Sequence, residues 1–279
     1  DPAVYWPIAQ PVVDRSPVLH ALHASVVAAV SSDPPAYPRW TFYVGERPGA
    51  APFLAHHTPP YPFHMPAGDA GAAERLAEFV HQAGTRPAAV GGHLTSVVAF
   101  AGRWTALTGQ AVTPTLRLGI YDLPGEPALP WPVSGHPRAA TAGDGDLVRG
   151  WLEAFGNEVS GHRGRRVVGD DGLIASGRTL LWCDPEPVGM AQAKPSGSSM
   201  VPISDVYTPP EHRGRGYGSA VTAAISRSRI DHGEQCMLYT DLDNPTSNSI
   251  YAALGYRFVG ESIELALHDP GMSPGHPSE

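Results

Sequence analysis

The sequence predicts an α/β fold, and three patterns along the chain support this prediction. An extended apolar run at 200–208 leads through glycines into 217–228, where small and apolar residues recur at the spacing of one helical face. A second strand, turn, helix and strand follow at 236–258. Earlier in the chain, the apolar residues of 94–104 predict an amphipathic helix that follows a short strand. Strands that alternate with helices in this way are typical of α/β proteins.

The first half of the chain is predicted to alternate helices with strands. In chain order we expect a helix at 17–31, strands at 40–44, 53–57 and 61–65, a helix at 72–82, a strand at 88–90, a helix at 94–104 and a strand at 113–121. Gly91 and Gly92 follow the short strand and precede a helix. This half therefore contains a second strand, glycine and helix sequence.

A connector rich in proline and glycine is predicted at 121–145, and a second set of helices and strands follows it. The strongest helical stripe lies at 147–159, with Thr141 or Asp144 as the residue that caps its start. The remaining elements are a helix near 166–176, strands at 179–183, 187–194 and 199–208, a helix from 217, a strand at 236–240, and a short helix before a last strand.

The glycine-rich segment after the strand at 199–208 has the properties of a diphosphate-binding turn, which we call the cradle. It consists of Arg213, Gly214, Arg215, Gly216, Tyr217 and Gly218. The first turn of a helix leaves backbone N–H groups without partners and carries partial positive charge. Glycines let a ligand approach these groups, and the flanking arginines add positive charge. The alternative is a glycine turn that only joins a strand to a helix.

Two amides and a phenol lie along one side of the short helix near the end of the chain. Asn244, Asn248 and Tyr251 are spaced four and then three residues apart, while Ile250 and Leu254 lie on another side and are expected in the core. A tyrosine in such a helix is often only a half-buried packing residue. Its position after the cradle instead favours a role in a binding site.

These two segments resemble the GCN5-related N-acetyltransferase (GNAT) superfamily. The family's R/Q-x-x-G-x-G/A signature is matched by Arg213, Gly216 and Gly218. Its N-x-x-(A/S)-x-x-x-Y segment, which ends at a G-(F/Y) strand entry, is matched by Asn244, Ser247, Tyr251, Gly255 and Tyr256. The resemblance covers about the C-terminal half, where 137–141 and Asp144 also look like the family's first strand and the start of its first helix.

The resemblance implies a mixed, mainly antiparallel central sheet flanked by helices, and acetyl-CoA as the cofactor. No metal site is implied, and the histidine and cysteine spacings predict none. The residues that the resemblance assigns to acetyl-CoA are Val206, Tyr207, Thr208, Arg213, Gly214, Arg215, Gly216, Tyr217, Gly218, Ser219, Asn244, Asn248 and Tyr251.

The resemblance also implies a direct acyl transfer without a covalent enzyme intermediate. A backbone N–H, expected to be that of Val206, polarises the thioester carbonyl, and Tyr251 protonates the departing thiolate. Asp205 is the predicted base that takes the ammonium proton, although a neutral amine taken from solution would need no base. The competing candidates for the base are Glu153, Glu158 and His162.

The domain organisation is predicted to be two GNAT-like halves in tandem. We expect a degenerate N-terminal domain at 1–130, because Gly91 and Gly92 lack the Arg-x-x-Gly-x-Gly pattern, a catalytic domain at 136–267, and a tail at 268–279. An unrelated α/β domain that packs on the catalytic half is the alternative for the first half.

Composition narrows the classes of partner. The formal net charge of −8 argues against a nucleic-acid partner that would need many phosphate contacts. No apolar stretch approaches the ~20 residues of a membrane span, and no signal pattern opens the chain, so we expect a cytoplasmic protein without a membrane partner. Cys183 and Cys236 have no metal or redox spacing and are expected to be buried free thiols.

The function predicted from these observations is acetyl-CoA-dependent N-acetylation of the primary amine of a small molecule. The competing hypotheses are a non-catalytic acyl-CoA-binding tandem GNAT protein and an N-acyltransferase that uses a longer acyl-CoA. The sequence leaves the identity of the amine, the acyl length and the oligomeric state open.

Overall fold

The structure is a computed structural model that describes residues 1–160 and 171–270. The elements of the first half are α1 (Pro2–Arg15), α2 (Pro17–Ser32), β1 (Thr41–Gly45), β2 (Phe53–His57), β3 (Phe63–Met65), α3 (Ala70–Gln82), β4 (Ala89–His93), α4 (Leu94–Thr108) and β5 (Ala111–Leu123). All of the predicted elements of this half are present. Their bounds differ by a few residues, as is usual at element ends.

Helix α1 was not predicted from the sequence. Pro7 and Pro11 lie inside it, and each removes a backbone donor that a regular helix would use. The helix forms because its buried side chains lie on one face and pack against β2 and α2, and because the Asp1 carboxylate accepts a hydrogen bond from the Ala3 N–H at 2.9 Å. Tertiary packing outweighs local propensity here.

The elements of the second half are β6 (His136–Ala139), α5 (Gly145–Ser160), α6 (Asp171–Ala175), β7 (Thr179–Cys183), β8 (Pro187–Ala193), β9 (Met200–Tyr207), α7 (Tyr217–Asp231), β10 (Gln235–Asp241), α8 (Pro245–Ala253) and β11 (Arg257–His268). Thr141 and Asp144 form a reciprocal cap on the short 3₁₀ turn that leads into α5. The predicted connector at 121–145 was too long, because β5 continues to Leu123 and β6 begins at His136. Three parts of the sequence prediction lie outside the described residues: the start of the helix at 166–176, the candidate base His162 and the tail from 271.

The strands of the described residues form one sheet with the order β1-β2-β3-β4-β11-β5-β10-β9-β8-β7-β6. Neighbouring strands are antiparallel except for the pairs β3–β4 and β9–β10, which are parallel. The predicted mixed, mainly antiparallel sheet flanked by helices is therefore confirmed.

The two halves exchange their last strands. β5 of the first half lies between β10 and β11, and β11 of the second half lies between β4 and β5. Each half has a pair of helices, preceded in the second half by β6, and then a strand–strand–strand–helix–strand–helix–strand order. The shared order agrees with a tandem origin, which stays a prediction together with the domain bounds. Because the last strands are exchanged, the predicted boundary between 130 and 136 divides the chain but does not divide the sheet.

Helices cover both faces of the second half of the sheet. Val201, Cys236 and Leu238 pack against α7, whereas Met200 and Met237 point the other way and pack against Ala21 of α2. A helix of the first half therefore lies over β9 and β10. None of the described helices has both the length and the apolar character needed to cross a bilayer.

Candidate active site

The parallel strands β9 and β10 separate part-way along their length. Their pairing runs from Met200 with Gln235 to Pro202 with Met237 and stops there. Pro202 has no backbone N–H to continue the ladder. β9 goes on pairing with β8, and β10 goes on pairing with β5 as far as Asp241. The result is a V-shaped opening between the C-terminal ends of the two strands.

The side of the opening that β9 forms contains a β-bulge. The pairing with β8 shifts between Ser204 and Tyr207, and Asp205 within this interval has φ of +51°, the left-handed region that non-glycine residues seldom adopt. Bulges redirect backbone and side-chain groups out of the regular ladder. Val206, the predicted oxyanion donor, is the other residue of the bulge.

The cradle lies where β9 passes into α7. Gly214 and Gly216 have φ of +77° and +83°, so glycine is needed at both positions. Gly216 is the N-cap of α7, and no side chain caps this helix. The backbone N–H groups that open the helix are therefore available to an anionic ligand. The strand, glycine turn and helix predicted here are confirmed.

Arg213, the first residue of the cradle, is held by contacts with Thr208 and with α5. Its Nε donates a hydrogen bond to the Thr208 carbonyl at 2.9 Å, and its guanidinium pairs with both carboxylate oxygens of Glu158 at 2.7 and 2.8 Å. The guanidinium carbon also lies 5.8 Å from the centre of the Tyr207 ring. Glu158, a candidate base from the sequence, is thus engaged with an arginine, and this contact was not predicted.

Asp205 is buried beside the opening and is ion-paired. Lys194 Nζ lies 2.9 Å from Asp205 Oδ2, and the Ser204 hydroxyl donates to the same oxygen at 3.1 Å. Lys194 also donates to the side-chain oxygen of Gln192 at 2.7 Å. The role of Asp205 as a base stays a prediction, and its carboxylate is engaged by Lys194.

Tyr251 packs against the core between α7 and α8. Burial raises the pKa of its phenol to about 12, so the hydroxyl is protonated at neutral pH and can donate a proton. The ring of Tyr251 lies edge-on to that of Tyr256 at 6.0 Å. The structure describes no hydrogen-bond partner for the Tyr251 hydroxyl within 1–160 and 171–270. The hydroxyl is thus able to donate a hydrogen bond to a ligand atom.

The two asparagines shape the turn from β10 into α8. The Asn244 side-chain oxygen accepts a hydrogen bond from the Ser247 N–H at 3.1 Å and caps α8. The Asn248 amide donates to the carbonyls of Asp241 and Leu242 at 3.2 and 3.3 Å. These contacts give both residues a structural role in the turn. Their predicted contact with the cofactor stays a prediction.

The described residues of the first half have neither the opening between two parallel strands nor a cradle at the equivalent place. β3 and β4 remain paired up to Met65 with Gly92, so no opening forms between them. Gly91 and Gly92 lie inside β4, so the prediction that they follow the strand was wrong. The segment equivalent to the cradle precedes α3, where the Asp69 carboxylate accepts from the Ala72 N–H at 2.9 Å. A negative charge therefore stands at the start of this helix.

A cluster of histidines fills the first half between α2 and the sheet. Tyr5 Oη lies 2.7 Å from His23 Nε2, and His23 Nδ1 lies 2.8 Å from His56 Nδ1. The ring of His64 packs on that of His56 at 4.8 Å. Burial lowers the pKa of all three histidines, that of His64 to about 4. Within the described residues, no group of three or more His, Cys, Asp and Glu side chains is arranged to hold a metal ion.

Comparisons with known proteins agree with this description. Residues 193–263, which span the bulge, the cradle and α8, match the FR47-like protein family model. No curated protein sequence matches the chain.

Solved structures share the fold at low sequence identity. A Drosophila protein matches with a TM-score of 0.63 and 15% identity, over 96% of each chain. A GNAT-family acetyltransferase from Colwellia psychrerythraea matches with a TM-score of 0.56 and 10% identity, over 87% of this chain and 97% of the other. A GCN5-related N-acetyltransferase from Kribbella flavida matches with a TM-score of 0.55 and 17% identity, over 89% and 96%. The FR47-like segment contains both motifs, and the solved structures show that this chain shares the fold of GNAT-family acetyltransferases.

Proposed function

We propose that this protein transfers the acetyl group of acetyl-CoA directly to the primary amine of a small molecule. One observation carries the proposal: the opening between β9 and β10 leads to the uncapped start of α7. An extended thiol-bearing arm and a diphosphate need these two features next to each other. Among the residues that the structure describes, only those of the second half have both.

The described residues fit the parts of acetyl-CoA. The N–H groups from Gly216 to Ser219 face the start of α7 and suit the diphosphate, with Arg215 beside them. The backbone at 206–208 lies on the side of β9 that has left β10, and it can pair with the amides of the pantetheine arm as an added strand would.

When bound, acetyl-CoA supplies an acetyl group activated as a thioester. In our proposal the Val206 N–H would donate a hydrogen bond to the thioester carbonyl oxygen and stabilise negative charge that develops there. The Tyr251 phenol, which its raised pKa of about 12 keeps protonated, would be the group that supplies a proton to the sulfur. The attacking amine loses its proton to Asp205, to water, or before it binds.

The packing of α2 favours a small acceptor. α2 lies over β9 and β10 on the face opposite α7, where the Ala21 side chain contacts Met200 and Met237. In our proposal the acceptor approaches from this face, which the first half covers in part. A compact amine fits such a covered cleft better than a protein surface does. Both cysteines are free and buried, which suits the reducing cytoplasm that we expect from the sequence.

The ion pair of Asp205 with Lys194 supports a second candidate, a protein that binds acyl-CoA without turning it over. An N-acyltransferase for longer acyl groups is a third candidate.

Release of free CoA from acetyl-CoA and longer acyl-CoAs, measured with a panel of small primary amines, separates the three. The proposal predicts amine-dependent CoA release and an amine product heavier by one acetyl group. Acetyl-CoA binding without release for any amine would instead support the non-catalytic candidate, and faster release from longer acyl-CoAs would support the third.

A further inference from the structure

The connector between the halves runs along the outside of α7. We call residues 124–135 the strap. Near its start, Arg227 of α7 pairs with the Glu126 carboxylate at 2.6 Å and donates to the Pro127 carbonyl at 3.1 Å. The Ala128 N–H donates to the carbonyl of Leu254 at 3.1 Å. One end of the strap is thus fixed to α7 and to the end of α8.

The other end of the strap is fixed close to the cradle. The Trp182 indole N–H donates to the Ser134 carbonyl at 2.7 Å, and the Ser134 hydroxyl donates to Asp184 Oδ1 at 3.0 Å. The second oxygen of Asp184 accepts from the hydroxyl of Tyr217, the first residue of α7, at 2.5 Å. The strap and the start of α7 therefore share one carboxylate.

Between these fixed ends the strap presents one large aromatic ring beside the cradle. Trp131 is flanked by Pro130 and Pro132, which restrict the backbone on both sides. A methyl group built on Gly216 would lie 3.0 Å from Trp131 Nε1 and 3.1 Å from the Val133 side chain. Yet Trp131 as a whole residue is 50% exposed, so it lies against the cradle on one side and faces solvent on another.

We propose that Trp131 is the platform on which the adenine base of acetyl-CoA stacks, an inference that rests on the proposed function. In CoA the base is joined to the diphosphate through a single ribose. A diphosphate bound at the start of α7 therefore brings the adenine next to the cradle, where the exposed indole lies. An exposed tryptophan held between two prolines is placed in advance and loses little freedom when it stacks.

The known strength of base stacking sets the size of the effect. Removal of an aromatic side chain that stacks on a base typically weakens binding by at least about fivefold, which corresponds to about 1 kcal/mol. Phenylalanine keeps a flat face and should retain most of the affinity. Leu129 lies on the same strap and is 39% exposed, so Leu129→Ala is a matched control for loss of an exposed apolar side chain.

The test is calorimetric titration of the full chain and of Trp131→Ala, Trp131→Phe and Leu129→Ala. Each is titrated with acetyl-CoA and with acetyl-4′-phosphopantetheine, which keeps the arm and one phosphate but lacks the adenosine. We expect Trp131→Ala to weaken acetyl-CoA binding by at least about fivefold and to leave the truncated ligand within about twofold of the parent. The Phe and Leu129 variants should bind acetyl-CoA within about twofold of the parent.

Three results would overturn the proposal. Unchanged acetyl-CoA binding in Trp131→Ala would show that the indole makes no useful contact. Equal weakening for both ligands would show that Trp131 shapes the cradle itself. Tighter binding of acetyl-CoA would show that the indole shields the cradle. Failure of the parent to bind acetyl-CoA at all is a different outcome and would remove the proposed function as well.

Discussion

Gly218 is the cradle residue that best separates folding from binding. A methyl group built on it would lie 3.6 Å from the Thr208 hydroxyl, an ordinary contact, and its φ is not in the left-handed region. A side chain is therefore tolerated, whereas Gly216 has φ of +83° and lies against Trp131. In the first turn of α7 a carboxylate interacts favourably with the helix dipole but repels a diphosphate.

Gly218→Asp should therefore keep the melting temperature of the parent and weaken acetyl-CoA binding at least tenfold, or about 1.4 kcal/mol. Gly218→Ala is the matched control and should bind like the parent. Thermal melts and calorimetry give the two readouts. If the Asp variant binds acetyl-CoA as tightly as the parent, the diphosphate does not bind at the cradle. A much lower melting temperature would show that position 218 does not tolerate a side chain.

Tyr251 is the residue on which the proposed chemistry depends most. Its hydroxyl has no described hydrogen-bond partner, so Tyr251→Phe removes a proton donor and leaves the packing of the ring intact. A general acid contributes about 10²–10⁴-fold to rate, so turnover with a good amine should fall at least about tenfold while acetyl-CoA binding and the melting temperature change little.

Tyr256→Phe is the comparison variant for Tyr251. The Tyr256 hydroxyl is hydrogen-bonded to the Ser226 hydroxyl at 2.7 Å in the core, so its loss should cost about 1 kcal/mol of stability and leave turnover intact. Retained turnover in Tyr251→Phe would assign proton donation to water or to another group.

At the scale of elements, the histidines between α2, β2 and β3 make the stability of the first half depend on pH. His23, His56 and His64 are neutral in the folded chain because burial lowers their pKa values, that of His64 to about 4. In the unfolded chain each histidine has a pKa of about 6.5. Below that pH the unfolded chain binds protons that the folded chain does not, so stability is complete above pH 6.5 and is lost as the pH falls towards 4.

Urea denaturation at pH 7.5 and pH 5 measures this effect. The free energy of unfolding of the parent should fall between the two pH values, and that of His64→Gln should fall less, because one of the histidines with a lowered pKa is gone. His136→Gln, at an exposed position, should lose as much as the parent. A parent whose stability is the same at both pH values would contradict the account of this cluster.

Local patterns predicted most elements, and the exceptions have physical causes. The cradle, the helix after it and the amphipathic α4 follow from glycine positions and from apolar spacing, which act over a few residues. Helix α1 was not predicted because its prolines argue against a helix and because the residues that it packs against are distant in sequence. The left-handed Asp205 and the bond between Arg213 and Glu158 depend on strands and helices that only the fold brings together. Trp131 belongs to no sequence motif, and only the structure shows that it lies beside Gly216.

At the scale of the whole molecule, the exchange of β5 and β11 joins the two halves into one sheet. Neither half alone can complete the pairing of its own central strands, because β10 pairs with β5 and β4 pairs with β11. This arrangement was not predictable from the sequence, since either half has the local pattern of a complete domain. Strand pairing over such sequence distances leaves no local signal.

The full chain should consequently unfold in one cooperative transition, and fragments 1–130 and 131–279 should each be unfolded or aggregated when made alone. Circular dichroism and size-exclusion chromatography of the fragments, separately and co-expressed, test this. Recovery of a folded complex on co-expression is expected. A fragment that melts cooperatively on its own would instead support two independent domains.

The central claim is that acetyl-CoA binds in the second half and nowhere else. The measurement that tests it most directly is the stoichiometry of acetyl-CoA binding to the parent, to Gly218→Asp and to Gly92→Ala. A methyl group at Gly92 would lie 1.9 Å from the Met65 carbonyl oxygen, so the Gly92 variant should lower the melting temperature without changing the affinity of the molecules that remain folded. We expect one acetyl-CoA per chain, bound at least about tenfold more weakly by Gly218→Asp and with unchanged affinity by folded Gly92→Ala. Two per chain, or one that Gly218→Asp binds as tightly as the parent, would contradict the claim.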